Sequence, residues 1–409
     1  MAACRTRPRG AVGGLLAVSL FLTARAAAQA PPRIEMTLGE ALGRAESSPD
    51  VIVARSAQTA AESAIAVVQV PRPPTFTTST HSVTARLGLS LSVPLRWGGQ
   101  RGTAVDVARA ERDAAAADTS AAVDRAREAV TAAWLRLEAD EELESLARAR
   151  VDRLGRTAGA VRDLFDAGRV PRVDVVRTQA EAASARAEVF TASAERRAAS
   201  ATLAFLVGLS PQAEIGAAGE RPPPAPLPEL SSLLAKASSS AELRAADARG
   251  RAAAGRVRRA RREGLPALTL EGGADIDDPT QEGTDKRLSL GLTIPIGPRA
   301  TVLVSSAEQE RAAADRARLV RSVEAEVVST WNRAEASRQR LEVLDGSTIP
   351  AAREAAELSR IAYQEGRLDL LRLLESERTL ADIRANRIET WVLWGSQRAS
   401  LERLVGGKL

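Results

Sequence analysis

The chain has 409 residues, with 57 Lys and Arg against 52 Asp and Glu and only 3% aromatic residues. Alanine makes up about a fifth of the sequence, which favours thin, closely packed helices because alanine has the highest helix propensity. So few large side chains exclude an ordinary enzyme core of this length, and interspersed charges of both signs exclude a disordered chain.

The N-terminal segment has the features of an export signal. Three arginines lie before residue 10, residues 11–23 are mostly apolar, and Ala26–Ala28 offers a small-residue cleavage site. We predict a signal peptide at residues 1–28, because the apolar run is too short for the alternative, an uncleaved membrane anchor. Cleavage removes four arginines and Cys4, the only cysteine, which lowers the formal charge from +5 to +1. The exported chain is thiol-free, and its near-neutral charge predicts no nucleic-acid partner.

The exported chain contains an internal repeat. Four segments recur in the same order at offsets of 192 to 201 residues: Leu42 as Leu234, Leu89–Leu95 as Leu290–Ile296, Trp134 as Trp331, and Phe165–Val170 as Tyr363–Leu368. Six of the 20 prolines fall between the copies. We therefore predict a first repeat at residues 29–207, an extended proline-rich linker at 208–229 and a second repeat at 230–409.

Each repeat has the same predicted order of elements. A helix (about 37–70 and 230–262) precedes two strands (about 75–81 and 85–94; about 266–276 and 286–296), and long helical stretches follow (about 100–208 and 299–405). As one helix, Arg101–Asp166 would span roughly 100 Å, which suits a rod across a wide compartment and not a compact globule. Part of the next stretch has coiled-coil spacing at Val173, Val176, Ala180, Ala183, Ala187, Phe190 and Ala194. Steps of three and four keep such a seam against a partner helix in a left-handed supercoil.

The predicted strands alternate between apolar and small or polar residues. Leu87–Val93 and Leu288–Ile296 each place Leu, Val or Ile on one face. Strands of about ten residues with this pattern fit a transmembrane β-barrel with a wet lumen, although a half-buried sheet in a soluble protein gives the same alternation. Four strands cannot close a barrel and open edges are not tolerated in lipid, so the membrane interpretation requires oligomerisation.

This order of elements resembles the TolC-type outer-membrane efflux protein family over essentially the whole exported chain. Met36–Leu42 with Ser48–Val51 is similar to the family's opening helix, and Ile349–Ala351 to the start of its last helical hairpin. Val93–Gly102, with its glycine pair and following basic residue, is most like the CzcC-like heavy-metal branch.

The resemblance implies a mainly helical homotrimer in the bacterial outer membrane that extends into the periplasm. Each protomer would give four transmembrane strands to a 12-strand barrel, and its long antiparallel coiled-coil helices would form a periplasmic α-barrel. The implied partners are outer-membrane lipid, a periplasmic adaptor protein and an inner-membrane pump.

Two glycine turns are the predicted adaptor-docking tips. They comprise Gly168, Arg169 and Val170 in the first repeat and Gly366, Arg367 and Leu368 in the second. Glycine supplies a positive φ at such turns without strain, so the residues alone predict only helix–helix connections. The resemblance adds that these turns are the periplasmic ends where an adaptor docks.

A periplasmic gate is predicted close to these turns. The family often carries an acidic residue six positions after the tip glycine; Asp174 fits this place after Gly168, but Arg372 occupies it after Gly366. Glu375 follows Arg372 by one helical turn. We predict that Asp174, Arg372 and Glu375 pair around the mouth; the alternative is that they face water on the outer wall.

No pattern in the sequence indicates catalysis, a cofactor or a metal site. His81, the only histidine, suits a structural or exposed role, and the exported chain has no cysteine for zinc. The stretch Asp275–Thr280 lacks the glycine of a calcium loop. The basic run Arg256–Arg262 fits a solvated helix face, with a charge collar near lipid headgroups or in the pore as the alternative.

We therefore predict the exit duct of a tripartite efflux or type I secretion system, which passes substrate passively from an inner-membrane pump, and not an enzyme. The alternative is a periplasmic coiled-coil adaptor or scaffold with a soluble β domain. The sequence does not name the substrate, although the CzcC-like passage points to metal ions.

Overall fold

The computed structural model of the protein describes residues 33–409 except 71–73, 82–85, 96–98, 220, 222, 277–284 and 294–298. The predicted signal peptide at residues 1–28 lies outside the described residues. Residues 96–98 of the CzcC-like segment Val93–Gly102, and residues 294–298 in the second repeat, also lie outside them.

The two halves of the chain build the same order of elements. The first half contains β1 (Ile34–Thr37), α1 (Leu38–Arg44), a 3₁₀ turn (Ala45–Ser47), α2 (Pro49–Gln69), β2 (Thr75–His81), β3 (Arg86–Leu95), α3 (Gln100–Asp166) and α4 (Arg172–Leu206). The second contains β4 (Ile215–Ala218), α5 (Leu230–Ala237), α6 (Ala241–Glu263), β5 (Ala267–Ile276), β6 (Asp285–Thr293), α7 (Arg299–Val343), a π turn (Leu344–Thr348), α8 (Ile349–Gln364) and α9 (Leu370–Val405). The mainly helical fold with few strands is therefore confirmed.

Two long rods run from the sheet to the glycine turns. Helix α3 has 67 residues, which is about 100 Å at 1.5 Å per residue. The second rod is α7 continued by α8, and the π turn interrupts it just before Pro350. Proline has no N–H to donate to the preceding turn, so the helix is locally rewound there. The first repeat has Asp152 at the corresponding place, and α3 continues without a break.

Each rod is covered along its length by two shorter helices. Helices α4 and α9 return from the glycine turns and have 35 and 36 residues, only about half the length of a rod. Helices α2 and α6 pack on the rods at the sheet end. The starts of α2 and α6 and the ends of α4 and α9 lie in a middle zone of the molecule, which also contains the main hydrophobic clusters.

The first predicted helix is divided where one continuous helix was expected. Thr37 and Glu40 form a capping box at the start of α1, and α2 restarts at Pro49 after the 3₁₀ turn. Proline is favoured in the first turn of a helix because its missing N–H is not needed there. The stretch Leu38–Gln69 is apolar and long enough to cross a membrane by composition, yet this turn divides it and α2 lies along α3.

The predicted linker is partly built into the fold. Its residues Ile215–Ala218 form β4, which pairs in parallel with β1, so that Ile34 lies opposite Ile215. Ile215 is fully buried beside Trp134 in the main core. Strands of four residues are too short to show a periodicity, so neither β1 nor β4 was predicted from the sequence.

The core lies in the middle zone, where the two repeats meet. One cluster is built around three buried tryptophans, Trp134, Trp391 and Trp394. A second cluster joins Leu233 of α5 to Val327 of α7 and Leu401 of α9.

The coiled-coil seam predicted on α4 does not face its own chain. The stripe of α4 that packs inside the chain consists of Val175, Thr178, Ala182 and Ala185, all buried. All seven seam residues are exposed, and Phe190 is 75% exposed. Within the described residues, the predicted partner of this seam is missing.

Candidate functional site at the helical tips and the sheet

Both glycine turns close the long helical hairpins in the same way. Gly168 has a φ of 72° and Gly366 a φ of 70°. After each glycine, the next amide bonds back over the turn: the N–H of Arg169 donates to the carbonyl of Leu164, and that of Arg367 to the carbonyl of Ala362, both at 2.8 Å. This is the Schellman ending of a helix, which requires a left-handed residue at the glycine position.

An apolar cluster holds the two tips side by side. It contains Val161 and Val175 from the first hairpin and Leu370 from the second, with Val170 and Tyr363 packed against it. Around it the remaining tip residues are exposed: Gly168, Arg169, Gly366 and Arg367, while Val170 and Leu368 are half-buried. Arg367 forms an ion pair with Glu365. Each tip therefore presents an exposed arginine beside a half-buried apolar side chain. Together the two tips form the end surface of the chain.

The predicted gate residues lie close to this end surface but do not all pair within one chain. Arg372 Nη1 lies 3.6 Å from Glu375 Oε2 on the same helix, and both side chains are mostly exposed. Asp174 is half-buried on α4 and faces Tyr363, whose pKa is raised by burial and by the charge of Asp174. No ion pair joins Asp174 to Arg372 in the described part of the chain, so pairing around a mouth stays a prediction.

The four longer strands form one antiparallel sheet in the order β2–β3–β5–β6. Residues directly opposite each other share a face, so the register assigns the faces. One row across the sheet is Thr75, Ser92, Glu271 and Ser289. The opposite face is apolar and open: on β6 alone, Leu288, Leu290 and Leu292 are 80%, 64% and 58% exposed. A sheet with an apolar face this open is built to meet something apolar.

The edges of this sheet are unpaired among the described residues. Strand β3 pairs with β5 and so joins the first repeat to the second. Strand β2 at one edge and β6 at the other each have a single neighbour. Open edges beside an apolar face are incompatible with lipid unless another chain pairs with them.

The comparisons with known proteins agree with this geometry. The sequence profile of the outer membrane efflux protein family matches residues 42–209 and 234–407. The chain belongs to the outer membrane efflux protein family. It is 24% identical over 348 residues to the cobalt-zinc-cadmium resistance protein CzcC of Cupriavidus metallidurans, and the match covers 83% of this chain and 82% of CzcC.

Solved structures of outer-membrane channels share the fold. The similarity to the outer-membrane channel OprN has a TM-score of 0.75 at 22% identity and covers 90% of each chain. The Campylobacter jejuni CmeC outer membrane channel gives a TM-score of 0.77 at 14% identity, with 90% of this chain and 85% of CmeC covered.

Family membership confirms the resemblance and its main functional consequence. The protein is an outer-membrane efflux channel whose helical part extends into the periplasm. The alternative of a periplasmic adaptor or scaffold is set aside. The docking role of the tips and the gate at Asp174, Arg372 and Glu375 are not tested by membership and remain predictions.

The remaining sequence candidates take structural places where they are described. His81 is the last residue of β2, and Asp277 and Asp278 lie outside the described residues. In the basic run of α6, Arg256 pairs with Glu111 of α3 at 2.5 Å and Arg259 with Glu263 at 2.7 Å. The first contact joins α6 to α3, and the second lies within α6. In the described ranges no group of three His, Cys, Asp or Glu side chains could hold a metal ion.

Arg403 forms an ion-pair hub that was not predicted from the sequence. Its guanidinium lies 2.6 Å from Glu128 of α3 and 3.4 Å from Glu242 of α6, and it also pairs with Glu326 of α7. The Arg403 side chain is only 13% exposed. These glutamates raise the pKa of Arg403 against the opposing effect of burial. The partners are far apart in sequence, so only tertiary packing reveals the hub.

Proposed function

We propose that the channel is a homotrimer that serves as the exit duct of a tripartite efflux system, with an adaptor at its tips and an inner-membrane pump as its source of energy. Each protomer contributes four strands to a 12-strand barrel (three times the four-stranded sheet). The proposal is supported by one observation. Inside the chain, elements of the first repeat pack against elements of the second repeat. The equivalent contacts on the uncovered sides of the two repeats can be made only with a second copy of the chain.

The strands provide the first of these contacts. Inside the chain, the second strand of the first repeat, β3, pairs with the first strand of the second repeat, β5. The equivalent pair in the opposite order, from the second repeat to the first, would be β6 with β2. Within one chain these two strands lie at opposite edges of the sheet and cannot meet. Pairing of β6 with β2 of a neighbour repeats the internal junction and removes both open edges.

The helices show the same relationship between internal and missing contacts. Helix α6 packs against α7 of its own repeat and also against α3 of the other repeat. Its counterpart α2 packs against α3, and its other side carries exposed apolar residues, with Val53 and Val67 at 69% and 74% exposure. The α7 of a neighbouring protomer is the surface that would complete this contact. The exposed seam on α4 requires a neighbour in the same way.

The number of copies follows from the width of the barrel. Two copies would give eight strands, and the interior of an eight-stranded barrel is filled by side chains. Three copies give twelve strands, whose lumen-facing positions include small or polar residues such as Thr75, Ser92 and Ser289. A trimer is therefore the smallest ring that leaves an open duct, and it is also the assembly that the family resemblance implies.

One relative suggests a substrate class. CzcC is named as a cobalt-zinc-cadmium resistance protein. We therefore propose divalent metal cations as the first substrates to test. Passage through the duct is passive, so selectivity would reside in the pump.

A matched pair of variants tests the assembly. The protein is extracted from outer membranes in mild detergent and its mass measured by light scattering. Wild type and Ser184→Glu, an exposed position off the seam, should be trimers, whereas Phe190→Glu places a charge on the seam and should give monomers. A folded wild-type monomer, or an intact Phe190→Glu trimer, contradicts the proposed interface.

A further inference from the structure

A groove of about 770 Å³ lies between α3, α8 and α9 and extends away from the tips, beginning beside Tyr363 and Gln364. Its charged lining consists of five arginines and two glutamates: Arg153, Arg156, Arg353, Arg360, Arg384, Glu357 and Glu377. Arg360 pairs with Glu357 at 2.5 Å, which neutralises both. The other four arginines face the single carboxylate of Glu377, so the groove has an excess of positive charge.

The excess is not relieved by ion pairs elsewhere. Among the described residues, no carboxylate lies within 4.0 Å of the guanidinium of Arg153, Arg353 or Arg384. Burial lowers the pKa of Arg384, and the charges of Arg353 and Arg153 lower it further. Burial also disfavours the charged form of Glu377 and so raises its pKa, and the charges of nearby arginines oppose this rise. The groove therefore gathers several positive charges around the partly buried Arg384, which is unfavourable unless an anion joins them.

A second, independent feature of the groove also lacks a partner. Tyr363 lines the groove, and its phenolic oxygen is inaccessible to solvent and makes no hydrogen bond. An unpaired buried hydroxyl carries a desolvation penalty, so such groups in native proteins usually meet a ligand or a water. A hydroxyl can donate to an oxyanion, so Tyr363 adds a neutral donor to the arginines that line the same groove.

A neighbouring groove, which shares Arg153 and Glu377 with the first, also contains arginines that are paired with carboxylates. It is lined by α3, α4 and α9. There Arg150 pairs with Glu188 at 2.6 Å, and Arg378 lies 3.9 Å from Asp382. Arg150 and Arg378 therefore each have an acidic partner within 4 Å, whereas Arg353 and Arg384 of the α3–α8–α9 groove have none among the described residues.

We propose that the α3–α8–α9 groove binds a multivalent oxyanion, with carboxylate or phosphate groups held by Arg153, Arg353 and Arg384 and by the hydroxyl of Tyr363. Guanidinium groups bind such oxygens through short, charge-assisted and often bidentate hydrogen bonds. The ligand would tie α8 and α9 of the second repeat to α3 of the first. The same chemistry can come from a free anion or from acidic side chains of a bound protein segment.

Calorimetric titration of the detergent-solubilised full assembly tests the proposal. Citrate represents the free anion and a glutamate-rich peptide represents an acidic segment, both at constant ionic strength in chloride. Wild type should bind one of them saturably at one site per protomer. The double variant Arg353→Gln with Arg384→Gln should weaken binding at least tenfold, because two charge-assisted contacts are lost. Arg378→Gln, in the neighbouring groove, should bind as wild type does.

Tyr363→Phe separates a binding role from a structural one. The hydroxyl has no partner in the free protein, so its removal should leave the melting temperature unchanged or slightly higher while weakening anion binding several-fold. Binding of citrate alone identifies a free anion, and binding of the peptide alone identifies an acidic protein segment. Absence of saturable binding by both probes, or equal binding by the double variant and Arg378→Gln, overturns the proposal and leaves the duct function untouched.

Discussion

Trp134 and Trp331 make the same hydrogen bond in the two halves of the chain. The indole N–H of Trp134 donates to the carbonyl of Met36 at 2.9 Å, and that of Trp331 donates to the carbonyl of Pro228 at 3.0 Å. Each acceptor lies two residues before a helix, α1 or α5. The two repeats thus fold around an equivalent anchor between a long rod and the segment that enters the repeat.

Replacing Trp134 by phenylalanine should destabilise the protein through loss of this anchor. Trp394 is an internal control, because it is as deeply buried and its indole N–H has no hydrogen-bond partner. Both substitutions remove similar volume, so Trp134→Phe should cost about 1 kcal/mol more, the typical net value of one hydrogen bond. Thermal unfolding of the two variants side by side measures this difference. Equal losses in melting temperature would remove the anchoring role.

Valine at both glycine turns should disable the tips. An added Cβ at Gly168 or Gly366 meets no atom within 4 Å, so the cost arises from the positive φ, about 1–2 kcal/mol per residue for ordinary side chains. The valine pair should abolish adaptor crosslinking and efflux while the trimer remains. Asparagine tolerates this conformation, and the asparagine pair should retain both activities. Wild-type resistance in cells carrying the valine pair would refute the docking role.

Removing the charge of Arg372 should open the predicted gate. Its pair with Glu375 is largely exposed, so any single ion pair contributes only about 0–1 kcal/mol, but a threefold ring multiplies the effect and salt weakens it. Arg372→Ser should raise single-channel conductance or opening frequency in planar bilayers, most clearly at low salt. Arg311→Ser, which breaks an exposed pair with Asp315 on α7, should leave the currents unchanged. Identical currents for both variants at every salt concentration would exclude Arg372 from the gate.

Loss of the Arg403 hub should destabilise the middle zone. Arg403→Gln leaves Glu128, Glu242 and Glu326 close together without their shared cation. Removing one partner of a buried pair costs about 3–5 kcal/mol; because these glutamates are partly exposed, we expect about 2–3 kcal/mol after solvent screening. Denaturant unfolding provides the measurement, with Arg311→Gln as the exposed control. A midpoint shift no larger than that of the control would mean that the hub contributes nothing.

Periodicity predicted the elements that are long and regular. The alternation in β3 and β6 and the coiled-coil spacing in α4 extend over many residues, so the type and order of these elements were confirmed. Short elements were not predicted, because β1 and β4 have only four residues each and are too short to show a period. The 3₁₀ turn before Pro49 and the π turn before Pro350 were also missed, although each proline marks the place where the helical ladder loses a donor.

The sequence by itself determined the repeat, the faces of the strands and the two glycine turns, because these depend on local spacing and on the conformational freedom of glycine. It also predicted that α4 needs a partner helix. Only the tertiary structure decided which surfaces remain uncovered within one chain. The unpaired arginines at Arg153, Arg353 and Arg384 and the hub at Arg403 are likewise tertiary, because they are brought together from separate helices, and charge neutralisation depends on distances of a few ångströms that no sequence spacing encodes.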